Sequence, residues 1–323
     1  MSVRAIPRVK RLQAFTLIEL LVVMIVLAVV GIAAVGLFFS FSRHFEQSAD
    51  LTIARQRGEM VLARLETAVL QAGLSMPNKT SDFEDAFVVN TTPKIDLITA
   101  LRNVISGWNK PLYLYENAGT VGTTTYYKRL GIVYCLGSGI GVLEDEHEVE
   151  ADTDIVLKLS AACPDNQVKV ATAASATDGW VTFSGCQVPF VVKSVDNANE
   201  KLTVTASKRD FIPLYAELQY LRALCAYVSS PGGTSPQFYI QDVTRGPAQP
   251  VVEGVSQVLF SFDDSGTDAT NVLTVHVLLR GNRRFPGQYT LGDVPGWPIA
   301  GTVTDEDRHY RLVAISASWR VRN

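Results

Sequence analysis

One carboxylate stands where a carboxylate is costly. Glu19 lies near the start of an apolar run, and residues 20–42 include no charged side chain over 23 positions. Such a run is long enough to cross a hydrocarbon core about 30 Å thick. An ionisable group left unpaired there costs on the order of 2–3 kcal/mol, so Glu19 is expected to meet a positive partner. The remaining chemistry-bearing groups say less. Glu144-Asp145-Glu146-His147-Glu148, followed by Asp152-Thr153-Asp154, is rich in the oxygen ligands that Ca²⁺ takes. It lacks the spacing of a calcium loop and reads as a solvated turn, as does the acidic stretch 263–268. Gly137-Ser138-Gly139-Ile140-Gly141 follows a strand, but no helix opens behind it to present its amino terminus to a phosphate. A flexible hairpin loop is expected there. His276 shares the polar face of a strand with Thr274 and Arg280 and is expected to be exposed; His147 and His309 fall in charged, loop-like sequence. No Ser-His-Asp or Cys-His grouping emerges, so neither an enzyme nor a metal or cofactor site is expected.

The elements that carry these residues can be read from periodicity. After residue 42 the chain turns polar but stays helical in pattern: Leu51, Ala54, Gly58, Val61, Leu65, Ala68 and Ala72 recur at steps of three and four. Leu62 and Val69 widen this stripe to the face of a helix packed on a domain. Arg55, Arg57, Glu59, Arg64 and Glu66 fall mostly off it. Gly73 supplies a carboxy-terminal cap and Pro77 prevents continuation. Gly31 and Gly36 are weak points of the apolar half. Beyond residue 76 short alternating runs take over, with strands expected at 94–100, 131–136, 155–159, 189–195, 202–206, 218–228 and 237–243. The clearest pair is 255–262 with 272–280, where Val258, Phe260 and Phe262 alternate on one strand and Leu273, Val275, Val277 and Leu279 on the other. A last strand, 311–321, places Val313, Ile315, Ala317, Trp319 and Val321 on one face. Residues 161–179 and 229–236 read as exposed loops. No strand–helix–strand repeat occurs, so the expectation is an α+β chain: a long amino-terminal helix, half membrane-type and half amphipathic, packed on an antiparallel or mixed β-sheet domain.

The amino terminus also carries a resemblance. Ala14-Phe15-Thr16-Leu17-Ile18-Glu19, behind the basic flank Arg4, Arg8, Lys10 and Arg11, resembles the leader junction of type IV pilins and type II secretion pseudopilins. Ala14 stands where that family usually has Gly. The resemblance implies cleavage by a prepilin peptidase between Ala14 and Phe15, and N-methylation of Phe15. It also implies pairing of Glu19 with the methylated amine of a neighbouring subunit during assembly. Losing the leader removes four positive charges and takes the net charge from −3 to −7, a balance that argues against nucleic-acid binding.

The helix end Glu66-Thr67-Ala68-Val69-Leu70-Gln71-Ala72-Gly73 looks like that of PilW-type minor pilins, with Leu70 in place of the usual Arg. Val252-Glu253-Gly254-Val255 and the closing stretch from Tyr310-Arg311-Leu312-Val313 to Arg320-Val321-Arg322-Asn323 are similar to the same family's later regions. The implied organisation is a leader (1–14), a membrane and filament-core helix (15–42), its amphipathic continuation (43–75) and a periplasmic or extracellular β-rich domain (76–323). The implied role is a minor pilin that primes or caps a type IV pilus. The alternatives are a J-type pseudopilin of a type II secretion system and a pilus-tip adhesion module. Implied partners are other minor pilins, the major pilin, the prepilin peptidase, the inner-membrane assembly platform and a PilY-type tip adhesin. Cys135, Cys163, Cys186 and Cys225 would then all face an oxidising compartment, where an even number favours disulfides and four allow three connectivities. Cys163–Cys186 and Cys135–Cys225 are the preferred pairs, with free buried thiols as the alternative.

Overall fold

The computed structural model describes residues 16–91, 94–143, 146–164, 167–172, 177–233, 235–263 and 271–321. The first element, α1 (Leu17–Leu70), is an unbroken helix that passes through the division of the chain into two units after Asp50. In the first unit every described residue from Thr16 to Phe41 is exposed. Its side chains from Leu20 to Phe39 are apolar or glycine on every side, and the helix is long and apolar enough to cross a membrane.

The second unit begins with the amphipathic part of α1. Past it come α2 (Thr80–Ala86), β1 (Val88–Val89), β2 (Ile95–Asp96), α3 (Leu97–Val104), β3 (Leu112–Val121) and β4 (Thr124–Gly141). Next are β5 (His147–Val149), β6 (Asp154–Lys158), β7 (Trp180–Phe183), β8 (Phe190–Asp196), β9 (Lys201–Ala206), β10 (Asp210–Ile212) and β11 (Glu217–Ser229). The chain closes with β12 (Gln237–Asp242), β13 (Gln249–Glu253), β14 (Val255–Asp263), β15 (Val272–Arg280), the single turn α4 (Asp305–Arg308) and β16 (Leu312–Arg320). Twelve strands form one sheet with the main order β16-β15-β14-β4-β11-β7-β8-β9-β6; β3 adds to β4, and β12 joins β11 to β13. Every described strand pairing is antiparallel, so the architecture is α+β with a large antiparallel sheet.

The helical stripe is buried as its spacing requires. Ala54, Val61, Leu65, Val69 and Ala72 are fully covered and Ala68 nearly so, packed with Val258, Phe260, Leu273, Val275, Val277 and Leu279 of the β14–β15 hairpin. Gly58 sits at the closest approach: a Cβ there would lie 2.2 Å from Ile315 Cδ1 and 2.6 Å from Leu279 Cδ1. The helix stops at Leu70 rather than at residue 72, because the chain beyond it joins the sheet. Ala72 bridges to Tyr134, and Gly73, at φ +75°, donates its N–H to Val133 O at 3.2 Å. On the other face of the hairpin Leu259 and Leu278 pack with Val294, Trp297 and Val303.

Three expectations are corrected. Residues 94–100 form only the short β2 and then turn into α3, since Asp96 caps the helix by accepting from Thr99 N at 3.1 Å and Leu97, Ile98 and Leu101 reach the core. Residues 137–141 are not a loop but the end of β4, where Gly139 N donates to Glu217 Oε1 at 2.8 Å beside a register shift in the β4–β11 pairing. The stretch 161–179 is not wholly exposed: Cys163, Val168 and Ala171 are buried.

A buried ion pair ties the last turn to the sheet. Asp307, with its side chain 1% exposed, accepts from Arg280 Nε at 2.7 Å, and from Ser256 and Thr304 hydroxyls. Burial alone would push its pKa up; the hydrogen bonds from Ser256 and Thr304 and the Arg280 guanidinium outweigh this and hold it below the ordinary carboxylate value. A depressed carboxylate contributes stability above the unfolded-state pKa of about 4, and that contribution fades as pH falls below it. Asp307→Ala, which leaves the largely covered Arg280 guanidinium without its carboxylate, is expected to cost about 3 kcal/mol at pH 7. In thermal unfolding the gap from the parent should narrow below about pH 4. Gly58→Val is expected to destabilise by about 1–3 kcal/mol through overpacking, and Ile315→Ala added to it should recover part of the loss in the same assay.

Candidate functional site

The first turn of α1 is where the chemistry of the amino terminus becomes local geometry. Four N–H groups at a helix start have no partner within the helix, and in an apolar medium each is costly. Thr16 and Glu19 meet this need reciprocally. Glu19 Oε2 accepts from Thr16 N and from Thr16 Oγ1, both at 2.9 Å, and Glu19 N donates to Thr16 Oγ1 at 3.3 Å. This is a capping box. Its signature, Thr followed three residues later by Glu, is present in the sequence, so Thr16 could have been recognised beside Glu19. The carboxylate also sits at the positive end of the helix dipole. It is held by its own chain while its outer side stays exposed. Ala14 and Phe15 lie outside the described residues.

The other sequence candidates are placed as follows. Cys135 pairs in register with Leu221, and Cys225 with Gly131. Four residues of strand, about 13 Å, separate them, beyond the Cα spacing of at most ~7 Å that a disulfide spans. All four cysteines are buried free thiols, so neither Cys135–Cys225 nor Cys163–Cys186 is formed. Cys135 Sγ donates instead to Leu74 O at 3.3 Å and Cys186 Sγ to Phe211 O at 3.4 Å. Burial raises all four thiol pKa values, to about 11 for Cys163 and about 12 for Cys186 and Cys225, which makes them poor nucleophiles at neutral pH.

In the acidic stretch Glu148 and Glu150 both pair with Arg209, and Asp152 accepts from Asn90 N at 2.9 Å. Residues 144, 145 and 264–270 lie outside the described residues. Among those described, no group of three His, Cys, Asp or Glu side chains is placed to hold a metal ion. His276 is half-buried rather than exposed, stacked edge-on against Tyr126 with ring centroids 5.7 Å apart, and burial lowers its pKa. His147 begins β5, and His309 Nδ1 lies 3.2 Å from Phe285 O, at the end of α4. Trp108, Trp180 and Trp297 are core residues, while Trp319 is half-exposed.

Residues 10–35 match the family described as the prokaryotic N-terminal methylation motif. The match supports a type IV pilin-like protein. It covers the leader junction and most of the uncharged run, and it takes in Thr16 and Glu19. No curated protein and no solved structure matches the chain. For a type IV pilin-like protein the motif points to processing by a prepilin peptidase and to assembly with pilus or secretion-system components. Together with the exposed apolar helix it also points to membrane anchoring.

The cap can be tested in the full chain in detergent micelles. Thr16→Val removes a hydroxyl worth about 1 kcal/mol as a cap. Amide exchange at Glu19 should therefore quicken about five-fold, while Thr16→Ser should leave it near the parent rate.

Proposed function

We propose that this chain is a minor pilin, of the PilW-like kind, that primes or caps a type IV pilus. The observation that carries the reading is Glu19, capped by Thr16 at the head of a helix whose apolar surface is uncovered by its own chain. An apolar cylinder of this kind has two environments that suit it, lipid and a bundle of like helices. Before assembly it is held in the inner membrane with residues 76–323 in the periplasm. In the filament the same surface packs against neighbouring helices, and the methylated amine of one Phe15 meets the Glu19 of another subunit. Because the capping hydrogen bonds use Oε2, the second oxygen of Glu19 is left for that amine.

The partners in this reading are the major pilin, other minor pilins, the prepilin peptidase, the assembly platform and a PilY-type tip adhesin. The role is structural rather than enzymatic.

Glu19→Ala should leave the chain in the membrane while lowering its recovery in sheared pili by about ten-fold or more, the scale of losing one paired charge in an apolar setting. Unchanged recovery would overturn the assembly role. Mass spectrometry of the membrane-held chain should show a methylated Phe15 as its first residue. Loss of protein secretion with normal piliation on deletion would assign the chain to a secretion system instead.

A further inference from the structure

The main sheet parts beside β14. On one edge β14 pairs with β15 along its length, but on the other it pairs with β4 at Phe260↔Tyr127 alone. The pairing of β11 with β4 ends at Ala226↔Leu130. Among the described residues no strand therefore pairs with 255–259 on that edge of β14, nor with Val228 and Ser229 on the β4 side of β11. An open cavity of about 450 Å³ is lined by both strand segments. Its size falls within the range of roughly 300–1,000 Å³ usual for small-ligand pockets.

The ion pair of Arg280 and Asp307 forms part of its wall. Asp307 has little left to offer an incoming group. Its side chain is 1% exposed, Oδ1 accepts from Arg280 Nε and Ser256 Oγ, and Oδ2 accepts from Thr304 N and Oγ1. Arg280 is different. A guanidinium has five N–H donors, and only its Nε–H is used, on Asp307 at 2.7 Å. Its two Nη groups have no acceptor among the described residues. The group is nevertheless fixed in place, by Asp307 through Nε and by the Tyr310 ring, whose centre lies 5.0 Å from Cζ. The neighbouring carboxylates are engaged elsewhere: Glu306 gives both oxygens to Arg284, and Glu116 is shared by Lys128 and Arg129. Ala118, Val228, Pro236 and Val258 add apolar surface to the lining.

We propose that this cavity binds a single carboxylate carrying a short apolar tail. Its two oxygens take the Nη groups of Arg280, whose planar fork matches a carboxylate, and its tail covers Val228 and Val258. Asp307 acts as a positioning residue that holds the fork still, and the hydrogen bonds from Ser256 and Thr304 disperse its charge. Lys128, half-exposed in the same lining, supplies a second cation. Two sources share this chemistry, a short free acid and the carboxyl terminus of a peptide. The site goes beyond the pilus reading and uses no residue of the amino-terminal helix.

Titration of the full chain in detergent micelles, followed by the amide signals of Ser256 and Val258, tests the site. Butyrate should shift both signals saturably. Acetate, shorter by two methylenes, should bind about ten-fold more weakly, and so should butyramide, which keeps the tail and loses the charge. N-acetyl-alanyl-valine tells the sources apart: tighter binding than butyrate assigns a peptide terminus and weaker binding a free acid, and either supports the carboxylate site.

Arg280→Lys keeps a cation beside Asp307 but loses the fork, and should weaken butyrate about ten-fold. Ser229→Leu fills the cavity from a half-exposed strand position without touching the ion pair. It should melt like the parent and show no saturable shift. Absence of a saturable shift in the parent, equal binding of butyramide or inorganic phosphate, or unchanged butyrate binding in folded Ser229→Leu would each overturn the proposal. The titration should be unaltered by Glu19→Ala, so its failure and a failure of the pilus reading can be told apart.

Discussion

The open amides at the start of α1 are the constraint on which the rest depends. A helix with no charge over 23 residues satisfies its interior main chain within itself, but its first turn cannot. The reciprocal bonds of Thr16 and Glu19 close that end with groups of the same chain. Once the end is closed, the outer surface can be apolar all round and needs no local partner. The cap also settles how a carboxylate comes to lie in such a run: it is bound to the helix dipole and to a hydroxyl rather than stranded.

The other end of the same helix obeys a different rule. Past residue 50 its apolar groups narrow to a stripe, and the stripe is covered by the faces of β14 and β15. Contact this close requires a residue without a side chain where Ile315 and Leu279 rise to meet the helix, and Gly58 provides it. The far side of the hairpin is then sealed by Trp297 and its neighbours, with Asp307 and Arg280 fixing the last turn against the sheet. One continuous helix thus faces two kinds of surroundings, and the change is written in the width of its apolar pattern.

Much of this was legible in the residues because it rests on periodicity. The stripe from Ala54 to Ala72, the alternation along 255–262 and 272–280, and the last strand were readable because one buried face repeats every three to four residues in a helix and every two in a strand. What was not legible rests on single hydrogen bonds or on register. Asp96 turns a run of strand-formers into α3 with one accepted N–H. The β4–β11 register, which no local pattern fixes, separates Cys135 from Cys225. Gly137–Gly141 reads as a loop by composition, yet Glu217 holds it in the sheet. At the amino terminus Glu19 stands out by its charge, while the capping role of Thr16 rests on hydrogen bonds that a threonine beside an apolar run does not advertise.

The four separate thiols have a mechanical consequence. With no disulfide among them, a load applied along α1 within the second unit meets only noncovalent resistance. It is borne by side chains sliding past one another along the stripe and by the bond from Gly73 to Val133 that splices the helix end into β4. β4 is in turn clamped in register to β11 on one side and β3 on the other. Force entering there runs along the strands and loads many hydrogen bonds together in shear, instead of opening them one after another. A sheet gripped in this way can yield under excess tension and re-form when released, without any covalent bond having to break.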